Sequence, residues 1–350
     1  SFNNSEEILG PTTLIKLDSD SGDIIWKTQI NQSSYNSFVK FKNDGSLIAV
    51  TIGLNGQFNL YEVNYLDGNY DLINVAADMS GVLDLIFDEN DNLYITGHTS
   101  NGDIINLKKF DSSYNLVWEL AMKGPDGGSG FSLAYDSLND LIYLSGSIGA
   151  NVNLNPLGSE FILTIDNPTK YFIAAYNPDG ILQFGDSFNN PNNLNGTSEV
   201  LLRIRDNKLL LYGDYYGSPD LDFTENSFIV GQNVSFGSWE KFASIYDLNG
   251  GPTLTGQYFF NGSGSSSGNR SDIFLDGNNL IVATDDSGIQ MELYDYNLNS
   301  LVSVSNITSK NSDEAFYSSL INFNVYPENV YDANAPIIAL IGDNPMTIEL

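Results

Sequence analysis

Apolar and polar residues alternate with a period of two along most of this chain, in short runs closed by Asn, Asp and Gly. That period puts successive side chains on opposite faces of an extended strand. The i, i+3, i+4 spacing of an amphipathic helix is nowhere sustained without Gly, Asn or Pro interrupting it. One unit recurs as strand, acidic or Asn-Gly turn, strand. Clear copies are 83–97 (LDLIFDENDNLYITG), 131–146 (FSLAYDSLNDLIYLSG), 200–213 (VLLRIRDNKLLLYG) and 273–284 (IFLDGNNLIVAT), with fainter copies at 38–52 and 320–342. A second hairpin follows each after a variable loop: an aromatic residue, a turn, and an apolar run that in places ends in Trp. Examples are 107–118 (LKKFDSSYNLVW), 172–184 (FIAAYNPDGILQF), 242–255, 291–304 and, more loosely, 60–75. Two hairpins in succession make a four-stranded antiparallel meander, the blade of a β-propeller.

The two ends of the chain are complementary. Residues 14–26 (LIKLDSDSGDIIW) form a second-type hairpin with no first-type hairpin before it, while the last first-type hairpin has only 345–350 after it. The expected fold is therefore all-β: a single closed β-propeller over residues 1–350, with six four-stranded blades and the N-terminal strands completing the C-terminal blade. Seven is the alternative count, if 346–350 competes as a strand of a partial blade. Closure of this kind removes the open sheet edges that template aggregation. A pair of β-sandwiches uses similar short strands, but predicts neither the alternation of two hairpin types nor the complementary ends.

Charge narrows the function. Lys and Arg total 14 against 44 Asp and Glu, a formal net charge of −30, and such a field repels phosphate backbones and anionic headgroups. Nucleic acid and direct membrane insertion are thereby disfavoured as partners, and cations are favoured, calcium first among them. The chain has no cysteine, which removes disulfides, thiol catalysis and thiolate metal sites together. No run of about 20 apolar residues occurs, and the start, SFNNS, lacks a basic and apolar leader, so the chain reads as a mature exported protein.

The copies 86–100 (IFDENDNLYITGHTS) and 133–156 (LAYDSLNDLIYLSGSIGANVNLNP), followed by 172–184, resemble the SBBP-type β-propeller repeats of secreted and cell-surface bacterial proteins. The shared pattern is apolar-D-x-x-G-N-x-Y-x-x-G, a loop of alternating acidic or Asn residues with Pro, then an aromatic residue, D-x-x-G and a closing Trp. In this chain Asn replaces several Asp positions, and the closing Trp is kept at Trp26 and Trp118. The resemblance implies the fold and export. It implies no particular activity and brings no cofactor residues, so no redox cofactor is expected.

Few residues are chemically suggestive. His98 is the one histidine, which rules out a two-histidine metal site, and in 97–100 it reads as a loop residue just past a strand. Carboxylates are too numerous for a glycosidase pair to stand out. Tyr215 and Tyr216 in the loop 213–222, and Trp239 in another connection, are candidate ligand-binding aromatics, with packing between blades as the competing role. Asp18, Asp20 and Asp23, and Asp88 with Asn90, are candidate Ca2+ ligands, because carboxylates alternate around a bend. Neither turn is an EF-hand, since Gln29 and Thr99 stand at the twelfth position, and hairpin turns demand these same residue types. Alternation also aligns Asn153 with Asn155 and Asp220 with Asp222, as converging oxygens or as an Asx ladder. Asn195, Asn233, Asn261 and Asn306 lie in glycosylation sequons.

These features point to a noncatalytic extracellular or cell-surface module for binding or adhesion, or a surface-structural one, recognising through its variable loops. The partner would be an extracellular glycan or protein, or other surface-protein subunits. The alternative is a carbohydrate-active hydrolase or lyase using carboxylates near the central channel.

Overall fold

The computed structural model describes residues 11–17, 24–33, 36–42, 44–52, 58–73, 75, 79, 81–98, 104–123, 128–149, 151–164, 170–187, 196–197, 200–216, 222–223, 240–260, 271–276, 279–285, 289–295, 300–307 and 337–341. Every regular element among them is a β-strand. The chain divides into two compact units, Ser1–Gly81 with Ser309–Leu350, and Val82–Thr308.

The first unit opens with the hairpin of β1 (Pro11–Leu17) and β2 (Ile24–Ser33). A four-stranded antiparallel meander follows: β3 (Asn36–Phe41), β4 (Leu47–Ile52), β5 (Phe58–Val63) and β6 (Tyr70–Ile73). In β4 each of the six residues is buried, because a middle strand covered on both faces reads as a continuous apolar run.

The second unit repeats the plan. Its first meander is β7 (Gly81–Phe87), β8 (Leu93–His98), β9 (Ile104–Phe110) and β10 (Leu116–Lys123). Next come β11 (Gly128–Asp136) and β12 (Leu141–Ile148), a separate two-stranded ladder of β13 (Val152–Asn153) and β14 (Ile162–Leu163), then β15 (Lys170–Tyr176) and β16 (Leu182–Ser187). The following sheet holds β17 (Gly196–Thr197), β18 (Leu201–Arg205), β19 (Lys208–Tyr216), β20 (Glu240–Asp247) and β21 (Thr253–Phe260). The last sheet of this unit is β22 (Ser271–Asp276), β23 (Asn279–Asp285), β24 (Ile289–Asp295) and β25 (Ser300–Ile307). The final strand, β26 (Ile337–Ile341), returns to the first unit and lies antiparallel on β1, Leu14 opposite Leu340. The expected sharing of one sheet by the two ends of the chain is thus present in this pairing. The rest of the 320–342 hairpin lies outside the described residues.

Turn chemistry sets the register. Asp206 and Asn207 both have φ near +50 to +58°, the two-residue type I′ turn whose twist matches the flanking strands β18 and β19. Asp91 and Asp140 occupy the same left-handed region in the turns β7–β8 and β11–β12. The outer strand carries a one-residue bulge beside the turn in five of the second-type hairpins, at Ile25, Val117, Gln183, Thr255 and Leu301. A bulge bends the outermost strand and spoils it as a template for another chain.

Neighbouring sheets within a unit pack face to face. Tyr94, Leu107, Leu120 and Met122 of one sheet meet Leu133, Leu144, Phe172 and Tyr176 of the next. Tyr143, Ile173 and Ala175 then meet Leu209, Leu211, Phe242 and Tyr246. A polar chain crosses the same interfaces: Asp84 Oδ2 accepts from Ser132 Oγ (3.0 Å) and Leu133 N (2.9 Å), and Ser132 Oγ accepts from Leu202 N (3.2 Å). These four residues sit on β7, β11 and β18, so hydrogen bonds add directional register to otherwise non-directional apolar packing.

Candidate functional site

Between β12 and β15 the chain makes a small hairpin whose ladder, β13 with β14, is only two residues long. So short a ladder cannot stand alone, and side chains complete it. Asn153 Oδ1 accepts from Asn155 N (2.9 Å) and Phe161 N (3.0 Å), and Asn155 Nδ2 donates to Ser159 O (2.8 Å). Leu182 N, on β16, donates to Asn155 Oδ1 (3.2 Å), which ties the loop to the sheet beneath it. Val152, Leu154 and Leu163 are buried in the sheet–sheet core, and Tyr176 Oη donates to Leu154 O (2.9 Å). The Asx ladder, one of two roles open to Asn153 and Asn155 in the sequence, is the one these bonds describe.

The ladder presents a tip, 156–162, in which every residue is exposed. Leu157, Phe161 and Ile162 expose 49%, 38% and 48% of their surfaces, although three large apolar side chains in seven residues ordinarily turn inward. Glu160 is the one charged residue of the tip. The loop is therefore pinned and has a partly exposed apolar tip, whose Leu157 and Phe161 also lie beside Gly180 and Gly185 of the β15–β16 hairpin. Its backbone groups are largely used internally, which leaves side-chain contact as its means of recognition.

The residues singled out in the sequence fall elsewhere. Tyr215 is not on a loop: β19 runs on to Tyr216, and Tyr215 is fully buried, edge-on to Phe242 at 6.3 Å between centroids. Its ring packs between sheets and has no face left for a ligand. Tyr216 ends the same strand, opposite Gly196; Trp239, Asp18, Asp20 and Asp23 lie outside the described residues.

Asp88 is 2% exposed, and its carboxylate organises its own turn. Oδ1 accepts from Asn90 N and Asn92 N (both 2.9 Å), and Oδ2 from Asn92 Nδ2 (2.8 Å) and Tyr94 Oη (3.0 Å). Asn90 contributes its backbone, and its side chain is exposed. Four donors on two oxygens satisfy the carboxylate within its own turn, the turn-forming role that competes with ligation. Among the described residues no group of three or more acidic or histidine side chains is placed to hold a metal ion. His98 is the last residue of β8, opposite Ile105, and not a residue of the loop beyond.

Titration behaviour follows the same geometry. The carboxyls of Asp44, Asp111 and Asp247 are held below the usual range: hydrogen bonds from Asn115 act on Asp111 and from Asn249 on Asp247, while at Asp44 burial pushes upward and is outweighed by Ser46 and Lys42 together. Burial pushes the phenols of Tyr94, Tyr135, Tyr143 and Tyr176 up, reinforced at Tyr94, Tyr135 and Tyr143 by neighbouring carboxylates. A sugar hydrolase needs a carboxyl raised toward neutrality, the opposite of what these turn aspartates show.

No protein-family profile and no curated protein matches the sequence, so the likeness to SBBP-type repeats rests on the repeat residues alone. Among solved structures the chain is similar to hydrazine synthase of Kuenenia stuttgartiensis, at 9% identity over 80% of this chain and 70% of that one, with a TM-score of 0.48. It is also similar to an ulvan lyase, a polysaccharide lyase (10% identity, 78% and 70%, TM-score 0.46). A third is TolB of Acinetobacter baumannii (11% identity, 83% and 62%, TM-score 0.44). These are β-propeller proteins. The fold itself is carried by the sheets described above.

Proposed function

We propose that this chain is a noncatalytic binding module of an extracellular or cell-surface protein, folded as a single closed propeller of six blades, that engages a glycan or protein through the loops joining its sheets. The observation that carries the proposal is the tip 156–162: a loop pinned by Asn153 and Asn155 that exposes Leu157, Phe161 and Ile162. Pre-organising a loop lowers the entropy lost on binding, and large apolar side chains on it supply contact area. Among the described residues, six sheets of three or more strands follow in chain order, and these with the pairing of β26 and β1 support the closed ring. Calcium enters this reading at Asp18, Asp20 and Asp23, whose spacing suits oxygen ligation.

The test screens the purified chain against glycan arrays and surface polysaccharides, for capture and for turnover, beside the variant L157S/F161S. Retained capture of a ligand that the variant binds at least tenfold more weakly, with unchanged melting, supports the proposal. Capture indifferent to the loop refutes the assignment of the tip. Turnover of a polysaccharide replaces the reading with a carbohydrate-active enzyme.

A further inference from the structure

Two side-chain pairs repeat the same geometry in separate places. Lys16 and Trp26 are directly opposite on β1 and β2, as are Lys109 and Trp118 on β9 and β10. In each pair both side chains reach across to one backbone carbonyl in the outer turn of the following sheet. Lys16 Nζ (2.8 Å) and Trp26 Nε1 (3.0 Å) donate to Tyr65 O, while Lys109 Nζ (3.0 Å) and Trp118 Nε1 (2.9 Å) donate to Pro178 O. The accepting residues occupy the same place, immediately after Asn64 and Asn177, which close their turns onto Asn69 and Ile181. A carbonyl oxygen has two lone pairs, and here two donors take them.

The same turns hold a glycine against the indole. Gly68 (φ +75°) and Gly180 (φ +79°) lie in the left-handed region, and a Cβ would come within 2.8 Å of the Trp26 ring in one and 3.2 Å of the Trp118 ring in the other. Gly250, in the turn that follows Phe184, also has a positive φ, but a Cβ there would meet nothing within 4 Å, and the turn following Asp71 places Tyr114 in the left-handed region; the close approach of glycine to a ring is seen at the two Trp joints.

We propose that Lys16–Trp26 and Lys109–Trp118 are straps by which one sheet locks the outer turn of the next, so that the closing Trp of one repeat and the turn glycine of the following repeat form a single coupled element. The D-x-x-G and Trp signals of the repeat then belong to different repeats in space. Cooperativity is stronger across the two strapped joints than across Phe184, whose ring stacks on Phe223 (5.7 Å) and donates no hydrogen bond.

The experiment is hydrogen exchange on the full chain for W118F, K109M, G180A and the double variant W118F/G180A. W118F keeps a ring and drops the donor. In W118F and K109M, amides of the turn 177–181 are expected to exchange roughly five- to tenfold faster, while the turn 111–115 of the same repeat as Trp118 changes less than twofold. The effect of G180A is expected to be smaller in the W118F background than alone, because a smaller ring relieves the collision. Equal acceleration of both turns would reduce Trp118 to ordinary hairpin packing and overturn the strap, as would strict additivity of W118F and G180A. If W118F does not fold, K109M, which leaves the packing in place, decides by the same comparison.

Discussion

Asn155→Ala isolates the side chain on which the candidate recognition loop depends. Asn155 is 6% exposed, and its amide makes two bonds to other residues: Nδ2 to Ser159 O at 2.8 Å, and Oδ1 from Leu182 N at 3.2 Å. Alanine removes both. Losing the bond to the exposed Ser159 costs about 1 kcal/mol, since water replaces it; leaving the half-buried Leu182 N without an acceptor costs about 1–3 kcal/mol more. The sum, roughly 2–4 kcal/mol, falls on local opening of the loop, which corresponds to at least about 30-fold faster exchange of the amides in 157–161. Exchange is the right readout because the chain forms two compact units, and a single melting temperature then averages over events that the loop does not share. Asn155→Asp provides the control. It keeps an acceptor for Leu182 N but sets a carboxylate oxygen against Ser159 O, so protection should fall near neutral pH and partly return below about pH 4, where the carboxyl is protonated and donates. Wild-type exchange at 157–161 in Asn155→Ala would show that the loop is held by its buried apolar residues alone, and the account given of the Asx ladder would be wrong.

Other perturbations test the frame around the loop. Asp84→Ala should destabilise the second unit by about 3 kcal/mol, because it strips acceptors from Ser132 and Leu133 N, whereas Asp84→Asn should cost less than half of that; equal losses in chemical denaturation would refute the role of the inter-sheet chain. Deleting residues 1–30 removes β1 and leaves β26 without its partner, and a soluble product melting like the parent would defeat ring closure. If Asp18, Asp20 and Asp23 bind calcium, melts at fixed ionic strength should shift upward in calcium and the shift should shrink in Asp20→Ala; superimposable melts in calcium and chelator would exclude it. At alkaline pH, the raised phenols of Tyr94, Tyr135, Tyr143 and Tyr176 contribute stability that is complete below pH about 10, the unfolded value, and is lost as pH climbs toward their folded values. Tyrosinate absorbance should then rise in a late step coincident with unfolding, and a smooth titration of all 20 tyrosines near pH 10 in folded protein would contradict their burial.

The hairpins were legible because two independent signals agreed on each. Period-two apolar runs placed the strands, and residues tolerant of positive φ placed the turns, as at Asp206 and Asn207 between β18 and β19. The β13–β14 hairpin was not legible in this way. Its ladder is two residues long, so no alternation can accumulate, and the segment that joins its strands is apolar and exposed, the inverse of the usual code. What holds it is a pair of asparagine side chains, and in a chain rich in Asn, sequence alone leaves a ladder and a ligand site equally open.

The misplacement of Tyr215 has a specific cause. In the repeat, Gly97, Gly146 and Gly213 look like stops at which a strand gives way to a loop, since glycine in a strand interior weakens it. The pairing shows a different use. Gly146 is opposite Phe172 and Gly213 opposite Phe242, and a Cβ on Gly146 would lie 2.6 Å from the Phe172 ring. Glycine here makes room for a cross-strand aromatic, which covers the backbone that glycine leaves bare, so the strand does not end and Tyr215 stays inside it. A glycine in these repeats therefore does not by itself mark the end of a strand: β21 also runs on past Gly256 to Phe260, and the cross-strand partner that covers a glycine is known only once the register is.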